Sequence, residues 1–244
     1  MKFSFEHTKT GMLSAEQINR VIEIAGMAFA GEYEKSIRKD FADNIEILLL
    51  KSGDRIIGFN SFRFIKSELN NNTLYGAYII DLAIERNNTR AIHAILSSMM
   101  KLFLNEQEKC GSRFFLFMPI ASYHMYRCLS NLFLRYYPNS KYETPAFEKQ
   151  VMDTFASQLF GNRYDPASCL VKHPTDQYAV RSDIETFTEK ELKIPDIAFY
   201  KKLNPCSLEG GTELVCLAES CRSNYSTEYL KNCPSIKNLF GKEQ

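Results

Sequence analysis

The 244-residue chain has no tryptophan, no cysteine pair at C-x-x-C spacing, and no surplus of either charge. Thirty Lys and Arg stand against twenty-nine Asp and Glu, for a net charge of +1. Each absence excludes something. A chain this close to neutral has no long-range field to draw it onto nucleic acid or an anionic membrane. No run approaches the ~18 consecutive apolar residues of a membrane span. The opening MKFSFEHTKTG lacks the apolar core of a signal peptide, so the expected location is the cytoplasm. Seven cysteines, at 110, 128, 169, 206, 216, 221 and 233, are an odd number spread over half the chain and do not form a secreted disulfide framework. They read as reduced thiols, several of them core filler. Four histidines (7, 93, 124 and 173) are too scattered to complete a zinc pattern, and no metal is expected.

What is present is a globular composition, 45% apolar and 24% charged, in a chain long enough to bury a sizeable core. SAEQINRVIEIAGMAFAGEY reads as a helix, with Ser14 and Gln17 in capping-box spacing ahead of Ile18, Val21, Ile22 and Ile24. EKSIRKDFAD reads as a second short helix. IEILLLKSGDRIIGFNSFRFI is a hairpin signal around Ser-Gly-Asp, and the Asn-rich ELNNNTLYG leads to a strand over 77–84. A helix follows, capped by Thr89, in which Ile92, Ile95, Leu96, Met99, Met100 and Phe103 repeat at helical spacing. RFFLFMPI (113–120) is a buried strand, and SYHMYRCLSNLFLRYY a helix ended by Pro138. Beyond it, TPAFEKQVMDTFASQLFG reads as a helix whose start is equally compatible with a strand. IPDIAFYKKLNP reads as a short helix and GGTELVCLAES as a turn feeding a strand. One α/β domain over 1–244 is expected, with a core at 14–137 and an elaborated C-terminal part at 138–244.

Between strand 77–84 and its helix lies ERNNTR, a tight polar turn with no glycine. Such a turn presents unpaired helix N–H groups and the positive end of the helix dipole, which favour an anion. Asn87 and Asn88 tolerate left-handed backbone in place of glycine, and Arg86 and Arg90 can add charged contacts. The same residues also read as a plain connector, an N-cap with arginines on a solvated face.

The element order and these segments resemble the GNAT superfamily of N-acyltransferases over residues 14–137. That resemblance implies a GNAT-like mixed, mostly antiparallel twisted sheet flanked by helices, in which a central strand splays from its neighbour. It implies that the pantetheine arm of an acyl thioester lies in the gap. The family's turn is usually Arg/Gln-x-x-Gly-x-Gly/Ala; NNTRAI occupies its place here without either glycine. FLFMPIASYHMYRCLS followed by ETPAF is similar to the carrier-protein-dependent branch, the autoinducer and N-acyl amino acid synthases. The implied co-substrate is therefore acyl-CoA or an acyl-pantetheine thioester on acyl carrier protein. The implied cofactor-binding residues are Leu82, Ile84, Arg86, Asn87, Asn88, Thr89, Arg90, Ala91 and Ile92, and the implied acceptor is a small-molecule amine.

Transfer from a thioester needs a neutral amine and a proton for the departing thiolate, whose ordinary pKa is about 8.5. The resemblance places a carboxylate on the central strand, where Asp81 sits inside YIIDLAI; Glu85 is a weaker candidate. A lone carboxylate in an apolar strand marks a cleft or a strand edge bonded to backbone. The resemblance also places a tyrosine on the later helix, where Tyr126 stands in MYRCLS with Ser130 replacing the family's glycine; Tyr123 lies one turn earlier. Tyr126 equally fits a core aromatic in register with Met125, Leu129 and Phe133. His124 reads as a surface or satisfied histidine, and Cys128 is a poor nucleophile without a histidine at any recognised spacing. A second function reading stays open, a binding or regulatory protein of the same fold that has lost catalysis with the glycines.

Overall fold

Ser14 caps the first long helix as its sequence dictates. Its side chain accepts from the Gln17 N–H, and the Gln17 side chain accepts from the Ser14 N–H. The computed structural model describes residues 3–85, 88–173 and 179–226. Its strands are β1 (Phe3–Lys9), β2 (Phe29–Ala30), β3 (Glu46–Ser52), β4 (Arg55–Leu69), β5 (Asn72–Ile84), β6 (Phe114–Ile120), β7 (Tyr164–Asp165), β8 (Leu170–Lys172), β9 (Ala179–Val180) and β10 (Thr212–Glu219). Its helices are α1 (Ala15–Ala28), α2 (Tyr33–Ala42), α3 (Thr89–Cys110), α4 (Tyr123–Leu132), α5 (Ala146–Phe160), α6 (Glu189–Leu192) and α7 (Pro195–Leu203). Eight strands form one sheet in the order β1-β3-β4-β5-β6-β10-β8-β7, while β2 and β9 pair separately. Every pairing is antiparallel except β5 with β6. The mixed, mostly antiparallel α/β architecture is thus the one the resemblance implied.

Side-chain alternation along the strands builds a core on each face. Phe62, Ala77, Leu116 and Leu214 turn toward α3, α4 and α7. On the opposite face, Phe59 and Ala83 pack under α1 and α2, and Phe117 and Val215 under α5. Val151, Met152 and Phe155 of α5 are fully buried, each contributing about 1.5–3 kcal/mol of hydrophobic transfer energy. Arg113 ties this layer together, donating to Glu148 of α5 at 2.8 Å and to Glu219 of β10 at 2.7 Å.

Several elements depart from the sequence reading. β1 is an added edge strand. β5 begins at Asn72 rather than Ala77, because Asn70 and Asn71 take φ of +51° and +63° and close a tight hairpin. α4 stops at Leu132, well before Pro138, where Phe133 turns extended and bridges to Tyr225. α3 is capped by Asn88, whose Oδ1 accepts from the Ala91 N–H at 3.1 Å, and Thr89 is its first helical residue. TPAFEKQVMDTFASQLFG is helical from Ala146.

Candidate active site in a split sheet

The site begins where two strands part. β5 and β6 are in ladder contact only from Tyr75↔Phe114 to Tyr78↔Phe117. At Gly76 they are so close that a Cβ would stand 2.5 Å from the Phe115 carbonyl oxygen, so this position needs glycine. Beyond Tyr78 the contact ends, and two local features explain why. Ile80 is an extra residue in β5, since Ile79 opposes Phe62 while Asp81 opposes the adjacent Ser61. A bulge of this kind bends a strand and raises its twist. On the other side, Val215 gives its N–H to Cys169 on the β8 side. Its partner Pro119 therefore turns its own backbone toward β5. A proline can occupy that position because no strand waits there for an N–H.

A cavity of about 590 Å³ occupies the gap. Its wall is largely apolar: Ile95, Met99 and Phe103 from α3, Met118 from β6, and Leu129 and Leu132 from α4. The Met- and Phe-rich stripe of α3 is thus both core and cavity wall. Met27, Ala28 and Phe29, at the end of α1, also line it, so the opening passes through the sheet from one helical layer to the other.

Asp81 lines this cavity at 3% exposure, on the α1 side with Ala83. Its N–H donates to Ser61 Oγ at 3.1 Å, and that hydroxyl lies 3.3 Å from Asp81 Oδ2. Asn60 Nδ2 donates to the Asp81 carbonyl at 2.8 Å. Asn60 and Ser61 are themselves fully buried, and sequence reasoning missed them because FNSF reads as ordinary strand. Leu82, Ile84 and Ile92 line the cavity as well. Ala91 is buried in the core, and Arg90 is exposed at the helix start. Arg86 and Asn87 lie outside the described residues, as does the Thr89 side chain.

Tyr126 is not brought together with Asp81. It is fully buried among Tyr136, Phe199 and Tyr200, and its hydroxyl donates to the Pro138 carbonyl at 2.9 Å. Burial holds the phenol well above its ordinary pKa. The cause lies in α7, which covers this side of α4 and makes Tyr126 a packing residue. Tyr123 is committed too, its single O–H donating to Glu191 at 2.5 Å, with the Thr186 carbonyl as the second acceptor in reach at 3.1 Å. Glu85 is held by Arg20 and Arg55. His124 is exposed on the rim. Burial pushes the Cys128 thiol up to about 11, which keeps it protonated and unreactive at neutral pH.

A second, polar chamber of about 160 Å³ adjoins the first on the α2–α5 side. Ile79, Ile80, Ala121 and Glu213 line both. The smaller chamber adds Asp40, Tyr78, His173 and Ser207. Burial raises the Asp40 carboxyl above its usual range against the opposing pull of Arg63, and burial holds the Tyr78 phenol protonated. No motif links these residues in sequence; only the fold assembles them. Among the described residues no helix is long and apolar enough to cross a membrane.

No family model and no curated protein matches the sequence. Solved structures that match it include eight at 9–16% identity. A mutant of the AtaT toxin, bound to acetyl-CoA and the C-terminus of the antitoxin AtaR, is 12% identical, with 55% of this chain and 85% of that chain covered and a TM-score of 0.37. A Desulfovibrio desulfuricans protein assigned to the GNAT family of acetyltransferases is also 12% identical, over 48% and 72% of the two chains, with a TM-score of 0.35. An Enterococcus faecalis protein of unknown function, assigned as an N-acyltransferase, is 9% identical over 88% of this chain and 65% of that one, with a TM-score of 0.37.

Proposed function

We propose that the protein moves an acyl group from a pantetheine thioester, carried on coenzyme A or on acyl carrier protein, to a small-molecule amine. The observation that carries this reading is the parting of β5 from β6 after Tyr78↔Phe117 around a cavity that opens to both faces. A pantetheine arm is a slender chain of amides and methylenes. A strand edge released from its neighbour offers such a chain backbone hydrogen bonds, as it would an added strand. The apolar wall suits the acyl group, and each buried methylene contributes about 0.8 kcal/mol.

The phosphate end of the arm is assigned to the start of α3, from Arg86 and Asn87 through Asn88, Thr89 and Arg90. The Asn88 cap already occupies the Ala91 N–H, so the anion is met by the remaining donors of the first turn and by arginine charge. Asp81, on the opposite side of the split sheet, holds the amine. A carboxylate at the cavity wall can accept a charge-assisted hydrogen bond from an amine N–H, which orients the acceptor.

The reading is tested by incubating the protein with octanoyl-CoA and a panel of primary amines, namely an α-amino acid, a polyamine and an aminoglycoside. Mass spectrometry should find an N-octanoyl amide and an equal amount of free thiol. Donor binding without amide or thiol release would leave the non-catalytic, ligand-binding alternative as the correct one.

A further inference from the structure

Two buried polar side-chain atoms without a partner, His173 Nδ1 and Ser207 Oγ, belong to residues that line the same small chamber. Buried polar atoms in folded proteins are nearly always paired, so an unpaired one calls for an explanation, of which a catalytic role or an ordered water is one. The other ring nitrogen of His173, Nε2, lies 2.8 Å from a Glu213 carboxylate oxygen. A carboxylate only accepts, so Nε2 carries the hydrogen, and in the neutral ring Nδ1 is left as an unpaired, buried lone pair on a residue of the chamber wall.

The pair is held rigidly. The His173 N–H donates to the Gly211 carbonyl at 2.7 Å, and the imidazole meets the Phe160 ring edge-on at 6.2 Å between centroids. Gly210 and Gly211 sit at φ of +77° and +79°, which turns the chain into β10 beside His173. Asn204 fixes that turn, accepting from Thr212 Oγ1 at 2.7 Å and donating to the Thr212 carbonyl at 3.2 Å. Glu213 lines both the polar chamber and the apolar cavity, so the pair stands at their junction.

We infer that His173, oriented by Glu213, is the general base that takes the proton from the acceptor amine. This rests on the acyl-transfer reading above. In the step, the amine nitrogen bonds to the thioester carbonyl carbon as its N–H proton passes to His173 Nδ1. The C–S bond breaks, and the imidazolium proton returns to the thiolate, directly or through solvent. Amine and thioester become amide and thiol, with atoms and charge balanced. Among the described residues, Asp40, Lys39, Tyr78, Arg163 and Glu213 are the other titratable groups lining the chamber.

The test compares wild type, His173→Gln, Glu213→Gln and Ser207→Ala with octanoyl-CoA and whichever amine of the panel reacts. Donor affinity is read by calorimetry, and kcat/KM across pH by thiol release. His173→Gln should keep wild-type donor affinity, lose about 10²–10⁴ in rate, and lose the acidic limb of the profile. Glu213→Gln should lose less and displace that limb, as a positioning residue does. Ser207→Ala, which removes the second unpaired atom without touching the imidazole, should keep the acidic limb whatever it does to the rate, and an unchanged melting temperature of His173→Gln shows that the chamber remains folded. An active wild type whose His173→Gln variant keeps both rate and acidic limb overturns the base assignment alone. A wild type that neither binds octanoyl-CoA nor releases thiol overturns the acyl-transfer reading, and the base falls with it.

Discussion

Asp81→Asn is expected to lower kcat/KM for the amine by about 10- to 100-fold, with donor affinity unchanged. A hydrogen bond to a charged partner is worth about 1.5–3 kcal/mol, and the substitution removes the charge while preserving the shape. The fold should tolerate it. The Ser61 hydroxyl that faces Asp81 Oδ2 at 3.3 Å can donate equally to an amide oxygen, and the Asp81 N–H bond to Ser61 is untouched. The loss should appear mainly as a higher KM for the amine, because the contact is made in the ground state as well as the transition state. Equal kcat/KM in Asp81→Asn and wild type across the pH range would remove Asp81 from the acceptor site.

Ala121→Trp should lower turnover by at least about 10²-fold. Ala121 is a small, partly exposed side chain that lines both the apolar cavity and the polar chamber. An indole there fills the passage through which amine and thioester must meet. Misplacing reacting groups by as little as 1 Å costs about 10²-fold, and blocking their contact costs at least that. The melting temperature should stay within a few degrees, because the new ring enters open space rather than a filled core. A large drop in stability would mean that the junction is already packed. An active, stable Ala121→Trp enzyme would mean that the reaction takes place elsewhere.

How much of this was legible in the sequence differs from element to element. The Ser14–Gln17 box and the α3 stripe were readable because caps and period 3.6 are local properties. The α3 stripe also shows the limit of such reading. Met99 and Phe103 are 8% and 0% exposed and repeat as core residues do, yet they line a cavity. Periodicity reports burial, not whether the space beyond is filled. Tyr126 was ambiguous for the same reason. Its place on α4 is fixed by helical spacing, but α7 decides which side of α4 is sealed, and nothing near Tyr126 announces where α7 packs. β1 went unread as an edge strand whose alternation F-S-F-E-H is short and mostly polar. The polar chamber was out of reach altogether. Asp40, Tyr78, His173, Ser207 and Glu213 come from separate elements, and no spacing between them carries a signal. The splay of β5 from β6 was expected only through the family resemblance. Its physical causes, the Ile80 bulge and Pro119, become visible once strand register is known.

The central claim is that the gap between β5 and β6 holds the thioester donor. Hydrogen–deuterium exchange of the protein with and without saturating octanoyl-CoA, read by mass spectrometry at peptide resolution, tests it most directly. The account predicts slowed exchange in peptides covering 79–84, 118–124 and the first turns of α3, with β1, β3 and α5 unchanged. Protection confined to any other region, or none at all under saturating donor, would contradict it.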